Sequence, residues 1–184
     1  MRHVPFALLG LAMLLGAAAP PLSFVPLAPQ HAPAADFYRQ LWDSEGASIV
    51  AALEAESGLA FPAAPIEAIV RDGAPMTPLD GRSIRLRASR NADYMRATLV
   101  HEMGHRLTLT LPRTAEIDDH RLLYLFLYDA WTRLYGSGFA DRMVRFERRI
   151  PGPYDYDAAW TWALAMSREQ RKAQLRVLCA LGDL

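Results

Sequence analysis

The sequence contains a single cysteine, Cys179, so no disulfide can form within the chain. It also lacks excess charge, because twenty basic and twenty acidic residues give a formal net charge of zero. The modest arginine clusters at 82–96 and 142–149 are short, and we therefore expect no nucleic-acid partner. Internal repeats are absent as well, which at 184 residues predicts one compact domain behind an N-terminal leader.

The first 35 residues differ in composition from the rest of the chain. Basic residues in MRHV precede the apolar run PFALLGLAMLLGAAA, and an uncharged proline-rich tail follows. This order is typical of an export signal. We predict that 1–35 is a signal peptide or N-terminal anchor plus a Pro/Ala-rich linker, and that 36–184 is the functional domain. The protein would then be periplasmic or secreted, or tethered to the membrane if the leader is not cleaved.

The hydrophobic periodicity of the remaining sequence predicts an α+β fold. Most segments have helical spacing, and two short β-rich runs predict a small antiparallel sheet. Capping residues and glycines set the expected ends of the helices, with Asn91 or Asp93 at the start of the central one. The predicted strands are 66–71 and 83–89. The segment 36–58 is predicted as one or two helices, interrupted near Gly46. The other predicted helices are the capped segment up to about 110, 114–136, 138–150, 154–166 and 168–181.

The stretch TLVHEMGHRL, residues 98–107, lies inside the central helix and carries His101, Glu102 and His105. Residues four apart share one helix face, so the two imidazoles can bind one metal ion. Glu102 is rotated by about 100° and misses the metal, but its carboxylate can reach a water molecule bound there. This pattern predicts a Zn²⁺ site for metal-assisted hydrolysis with Glu102 as the base. Gly104, in mid-helix, predicts the close approach of a neighbouring element.

A catalytic zinc needs a third protein ligand. If the helix turns over at 111–114 and the chain returns antiparallel, a rise of 1.5 Å per residue brings Asp119 and His120 level with His105. We expect His120 to be the ligand. Glu116, one turn earlier on the same face, is the first alternative and Asp119 the second.

Three more polar side chains follow in the predicted helix 114–136. Tyr124 and Tyr128 come one and two turns after His120, so either phenol could stabilise an oxyanion, although an anchored position in the core is the commoner role. Asp129 is the only acid in the apolar stretch LLYLFLYDAW and needs a partner if it is buried. Arg96 is the candidate partner.

The sequence HEMGH at 101–105 resembles the HExxH motif of the zincin metallopeptidases, and the resemblance covers residues 66–136. It implies a zincin-like fold in which an edge strand, here 83–89, lines the groove for an extended peptide or protein substrate. It also implies that the two histidines hold zinc, that Glu102 is the general base and that the protein is a metalloendopeptidase. Likeness to the glutamate-liganded zincins favours Glu116 as third ligand. The alternatives are a zinc-binding envelope module without proteolytic activity, and a structural helical domain with fortuitous histidines.

Overall fold

The computed structural model describes residues 19–88, 91–114 and 116–182, which form an α+β fold, as predicted. A short 3-10 helix at Pro29–His31 precedes the first α-helix. In chain order the other elements are β1(Leu22–Pro26), α1(Ala32–Ser57), β2(Ile66–Arg71), β3(Ser83–Arg87), α2(Ala92–Leu107), α3(Asp119–Tyr124), α4(Leu127–Tyr135), α5(Ser137–Glu147), α6(Tyr156–Leu164) and α7(Arg168–Gly182).

The sheet is parallel, so the predicted antiparallel sheet was wrong. Its strand order is β1-β2-β3, with Phe24 beside Ala68 and Ala68 beside Ile84. Parallel neighbours require a long crossover connection. The helix α1 provides the first crossover, and residues 72–82 provide the second without a helix. The sequence did not predict β1 because it ends in a proline, which is tolerated only at a sheet edge such as this one.

The proline-rich stretch that was predicted as a linker contributes to the fold. It supplies β1 and the start of α1, where Pro33 in the first turn suits a position whose N–H needs no helical partner. Phe24 and Ala35 are both buried in the core. The apolar part of the predicted leader, residues 1–18, lies outside the described residues. Within the residues that are described, no helix is both long enough and apolar enough to cross a bilayer.

The helix predicted at 36–58 is present as α1, but the expected interruption near Gly46 was wrong, because α1 continues unbroken through this residue. A Cβ atom at Gly46 would lie 2.9 Å from the nearest atom of the Trp42 ring, so the glycine lets this ring lie along the helix. The helix ends at Gly58, whose φ of 77° is left-handed and whose N–H bonds to the carbonyl of Glu54. α1 therefore forms one long wall that packs against β1 and α4.

The long helix predicted over 114–136 is two helices in the structure, so this prediction was wrong in detail. α3 begins only after Asp118, whose carboxylate caps it by accepting a hydrogen bond from the N–H of Arg121. A break follows at Leu125 and Phe126, where the N–H groups bond three residues back. Every side chain from 122 to 127 is fully buried. The helix is thus interrupted within a stretch that is buried on every side.

Asp129 forms a buried ion pair, as expected, but its partner is Arg171 of α7 and not Arg96. The Nε and Nη2 atoms of Arg171 both donate hydrogen bonds to the Asp129 carboxylate, at 2.8–3.2 Å. The exposed fractions of the two side chains are 10% and 6%. The pair therefore joins the last helix to α4 and has no part in a metal site.

Candidate metal centre

The helix α2 carries the HExxH residues and is buried on most sides. The Asn91 side chain caps its start by accepting a hydrogen bond from the N–H of Tyr94, as predicted. Leu99 and Met103 are fully buried, and the helix packs against β3. This packing fixes α2 between the sheet and the later helices, so the positions of its histidines are set by the core.

Three imidazoles converge at one point: His101 and His105 from α2, and His120 from the first turn of α3. One ring nitrogen of each lies within 4.8 Å of the others. The Nε2 atoms of His101 and His105 are 3.1 Å apart. Three nitrogens bound tetrahedrally to zinc lie about 3.3 Å from one another, so small side-chain rotations would suffice for binding. Among the described residues, Nδ1 of buried His120 has no hydrogen-bond partner. The donor set therefore fits zinc.

Two side chains hold α3 against α2. A Cβ atom at Gly104 would lie 2.4 Å from Cδ1 of Leu123, so only glycine permits this approach, as the sequence predicted. Arg113, in the connection, donates to the carbonyls of Thr108 and Leu111 at the end of α2. It also donates to the Asp119 carboxylate at 2.6 Å. Because the same guanidinium binds both helix ends, it fixes the turn that places His120.

The other two candidates for the third ligand are placed differently. The Asp119 carboxylate accepts the hydrogen bond from Arg113 and is not in the group of converging ligand atoms. Glu116 is exposed, and among the described residues its carboxylate is not in that group either. The geometry thus places His120 beside His101 and His105. It does not place the carboxylate of Asp119 or of Glu116 there.

Burial and mutual repulsion favour the neutral, metal-binding form of two of the imidazoles. Burial lowers the pKa of His105 well below its usual value, and nearby His101 lowers it further. Burial and His101 likewise lower the pKa of His120 to about 4. Burial alone would lower the pKa of His101 too, but the Glu147 carboxylate outweighs this effect and raises it. At neutral pH, His105 and His120 are therefore uncharged.

Glu147, the last residue of α5, lies behind His101 and contacts its ring. Its Oε1 accepts a hydrogen bond from Nδ1 of His101 at 2.8 Å. Its Oε2 accepts two more, from the Tyr124 hydroxyl and from Nε1 of Trp160, each at 2.9 Å. This carboxylate holds the proton of His101 on Nδ1 and leaves Nε2 free to bind a metal, as in other carboxylate–histidine–metal sites.

Glu102 lies in the same cleft with an exposed fraction of only 2%. Burial raises its pKa to about 7, although His101 and a hydrogen bond from Thr77 act in the opposite direction. The Thr77 hydroxyl lies 2.7 Å from Oε2 of Glu102. Thr77 belongs to the connection 72–82, which the sequence identified only as a loop. A carboxyl group that titrates near neutrality suits general acid–base chemistry.

The two tyrosines predicted as oxyanion candidates are engaged elsewhere. The Tyr124 ring stacks on Trp160, with ring centroids 3.7 Å apart, and its hydroxyl donates to Glu147. The Tyr128 hydroxyl donates to Asp141, and Tyr128 does not line the cleft. Tyr154 and Tyr156 line it instead, with their rings 4.5 and 4.7 Å from the ring of His120. No specific signal in the sequence pointed to these two tyrosines.

The cluster of three histidines opens into a cleft with a volume of about 1130 Å³. Arg85 and Arg87 of β3 line it, so the strand predicted to border the groove does so. The backbone of this edge is already partly paired, because Met76 exchanges two hydrogen bonds with Arg85, at 2.7 and 3.1 Å. The connection 72–82 therefore covers part of the edge to which an extended substrate was expected to add.

Comparison with known proteins adds no family assignment. The chain matches no protein-family model, and no characterised protein or solved structure is significantly similar to it. The likeness to zincins therefore depends on the HExxH motif alone.

Proposed function

We propose that this protein is a zinc-dependent hydrolase of the zincin type, acting on peptide bonds. The observation that carries the proposal is the convergence of His101, His105 and His120 beside Glu102 in a cleft. Three protein ligands with one open position are typical of catalytic zinc, whereas structural zinc usually has four. Export of the protein to the periplasm or beyond, with a possible membrane tether, is part of the same proposal and depends on residues 1–35.

Each residue around the centre has a defined task in this proposal. The three histidines would hold zinc, which would supply the Lewis acidity that polarises a carbonyl and acidifies water. Glu102 takes a proton from water at its carboxylate and delivers it to the departing amine. Thr77 orients this carboxylate by its hydrogen bond. Glu147 keeps the His101 ring in the ligating tautomer.

The second candidate is a zinc-binding module without proteolytic activity. The contact between the Thr77 hydroxyl and Glu102 favours it, because one oxygen of the expected base is already bonded within the protein. Pairing of Met76 with Arg85 favours it as well, because it covers part of the edge of β3. Such a module would bind zinc and an extracytoplasmic partner and leave peptides intact.

Two measurements separate these functions. Metal analysis of the purified protein should find one zinc per chain, and this zinc should be lost in His101→Ala. Wild-type protein should cleave members of a peptide library, and Glu102→Gln should not, while it still binds the metal. If both proteins hold zinc and neither cleaves any peptide, the binding module is the better description. Absence of stoichiometric zinc from the wild type would refute both proposals.

A further inference from the structure

Positive charge is concentrated in the cleft at the proposed metal centre. Over the whole chain, basic and acidic residues balance at twenty each. Within the part of the chain that the structure describes, seven arginines line the cleft, against two carboxylates, those of Glu102 and Asp119. The only lysine in the sequence, Lys172, is not among the lining residues. The excess charge thus belongs to this cleft and not to the protein as a whole.

Two separate parts of the fold contribute six of these arginines, and Arg113 in the connection between α2 and α3 is the seventh. One group lies at the sheet, and the other lies on α5 and just beyond it at intervals of three and four residues, which place its members on one face. The two groups are Arg71, Arg85 and Arg87 from the sheet, and Arg142, Arg145 and Arg149 from the region of α5. A ligand in the cleft would therefore meet guanidinium groups from two elements.

Most of these guanidinium groups have no acid to neutralise them. Arg85, Arg87, Arg145 and Arg149 form no ion pair with any residue in the described ranges. In addition, Nε of Arg87 is buried and has no hydrogen-bond partner there. A buried N–H group without a hydrogen-bond acceptor lowers the stability of the protein. A ligand that supplied an acceptor would remove this cost.

We propose that the cleft selects acidic peptides, whose aspartate and glutamate side chains pair with Arg85, Arg87 and Arg145. This inference rests on the proposed hydrolase function and names its class of substrate. The planar guanidinium fork matches a carboxylate with two parallel hydrogen bonds. A concave surface of one charge also concentrates the field and speeds the association of oppositely charged ligands. The volume of about 1130 Å³ exceeds that of most small-molecule sites and accommodates several peptide residues.

Nucleic acid is the other anionic polymer that an arginine-rich cleft could bind. Domains that bind nucleic acids usually carry a net positive charge, whereas this chain has a formal net charge of zero. The unpaired arginines also lie around a cleft that contains Glu102, whose carboxylate would repel a phosphate backbone held close to it. Peptide carboxylates, spaced along a chain with neutral amides, can avoid that contact.

The test is the equilibrium binding of two short fluorescent peptides with blocked ends, followed by fluorescence anisotropy. The peptides differ only in carrying glutamate or glutamine at three positions, and Glu102→Gln protein is used in the presence of zinc so that neither is cleaved. We expect the glutamate peptide to bind about tenfold more tightly at low salt. The advantage should shrink as the ionic strength rises above about 0.1 M.

Two variants locate the effect. Arg85→Gln combined with Arg145→Gln removes one unpaired guanidinium from each group and should abolish the preference. Arg176→Gln, which changes an exposed arginine of α7 outside the cleft, should preserve it. Equal binding of the two peptides, no binding of either, or equal losses in both variants would overturn the proposal. So would tighter binding of a single-stranded oligonucleotide than of the acidic peptide.

Cleavage is measured separately, on wild-type protein with the same peptides. A retained preference for the acidic peptide without any cleavage would refute the peptidase function and leave the charge selectivity of the cleft in place. Cleavage of both peptides with equal kcat/KM would refute the selectivity and leave the peptidase function in place.

Discussion

Replacement of Glu147 by glutamine should weaken metal binding although this residue is not itself a ligand. The carboxylate accepts three hydrogen bonds and donates none: one from Nδ1 of His101, and two from the Tyr124 hydroxyl and Trp160 Nε1. Glutamine has almost the same shape, but one of its two terminal groups becomes an NH₂ donor. The substitution therefore changes hydrogen bonding with little change in volume.

Neither orientation of the glutamine amide satisfies all three neighbours while the proton of His101 stays on Nδ1. If its NH₂ group lies beside Trp160, two donors face each other at about 2.9 Å, because an indole N–H cannot accept. If its oxygen lies there instead, the NH₂ group faces Nδ1 of His101. Nδ1 must then accept, and the imidazole proton moves to Nε2, the nitrogen that faces His105. The second orientation satisfies the hydrogen bonds of the amide. It also places the His101 proton on the nitrogen that would bind the metal, so we expect it to weaken metal binding.

The expected loss follows from these contacts. Removal of a partner behind a metal ligand typically costs about 10- to 100-fold in affinity. We expect the upper end, about 100-fold, since the variant reverses the tautomer as well as losing the charge. This corresponds to about 2.7 kcal/mol. Competition with a chromophoric zinc chelator at neutral pH measures it, and ¹⁵N chemical shifts of the His101 ring in metal-free protein report the tautomer.

Tyr124→Phe is the matched control. It removes one donor to the same carboxylate, keeps the ring stacked on Trp160 and leaves the bond between His101 and Glu147 intact. Its zinc affinity should stay within about threefold of wild type, because the hydrogen bond that sets the His101 tautomer is kept. If Glu147→Gln also binds zinc within about threefold of wild type, with the fold intact by circular dichroism, Glu147 does not position His101.

Three further predictions concern the third ligand, the close helix contact and pH. His120→Ala should lower zinc affinity more than about 100-fold by the same competition assay, and Glu116→Gln, an exposed change, should leave it unaltered. Gly104→Ala should lower the free energy of unfolding by about 1 kcal/mol, because overpacking against Leu123 exceeds the gain in helix propensity. Urea titration measures this loss. The control is Gly138→Ala, in which the new Cβ lies 3.9 Å from its nearest neighbour, Nη1 of Arg142, so this variant should not be destabilised. Burial acts to raise the pKa of Glu56, but Arg168, Arg133 and Lys172 outweigh it and lower the pKa to about 2. Since the folded pKa lies below the unfolded value of about 4.3, this stabilisation is present above that pH and is lost as the pH falls toward 2. Glu56→Gln should therefore cost about 2 kcal/mol at pH 7, less than a fully buried pair because the arginines are half exposed, and almost nothing at pH 2. An equal cost at both pH values would contradict this account.

The residues on α2 were predictable because their information is local. Four-residue spacing fixes which side chains share a helix face, so His101 and His105 could be paired from the sequence alone. The position of His120 followed from the length of the connection and the rise per residue, even though the returning helix starts later than predicted. This position required only that the returning chain pack against α2, and Gly104 predicted the close approach of a neighbouring element.

Glu147 and Thr77 were not predictable in their observed roles. Each contacts α2 across a long stretch of chain, 46 residues from His101 and 25 residues from Glu102. Nothing local distinguishes Glu147 from the other acids that follow the motif, and Thr77 lies in a segment without periodicity. Their roles depend on tertiary packing, because hydrogen-bond partners in a buried centre are brought together by the fold.

The direction of the strands has a consequence for the site. An antiparallel pair could join β2 to β3 through a tight turn and would leave the outer edge of β3 open. The parallel arrangement requires the chain to return along the sheet, and the connection 72–82 does so beside α2. That return brings Met76 to the backbone of Arg85 and Thr77 to the carboxylate of Glu102. A peptide in the cleft must therefore lie against this connection or displace it, so its side chains meet the arginines while part of the strand edge remains occupied.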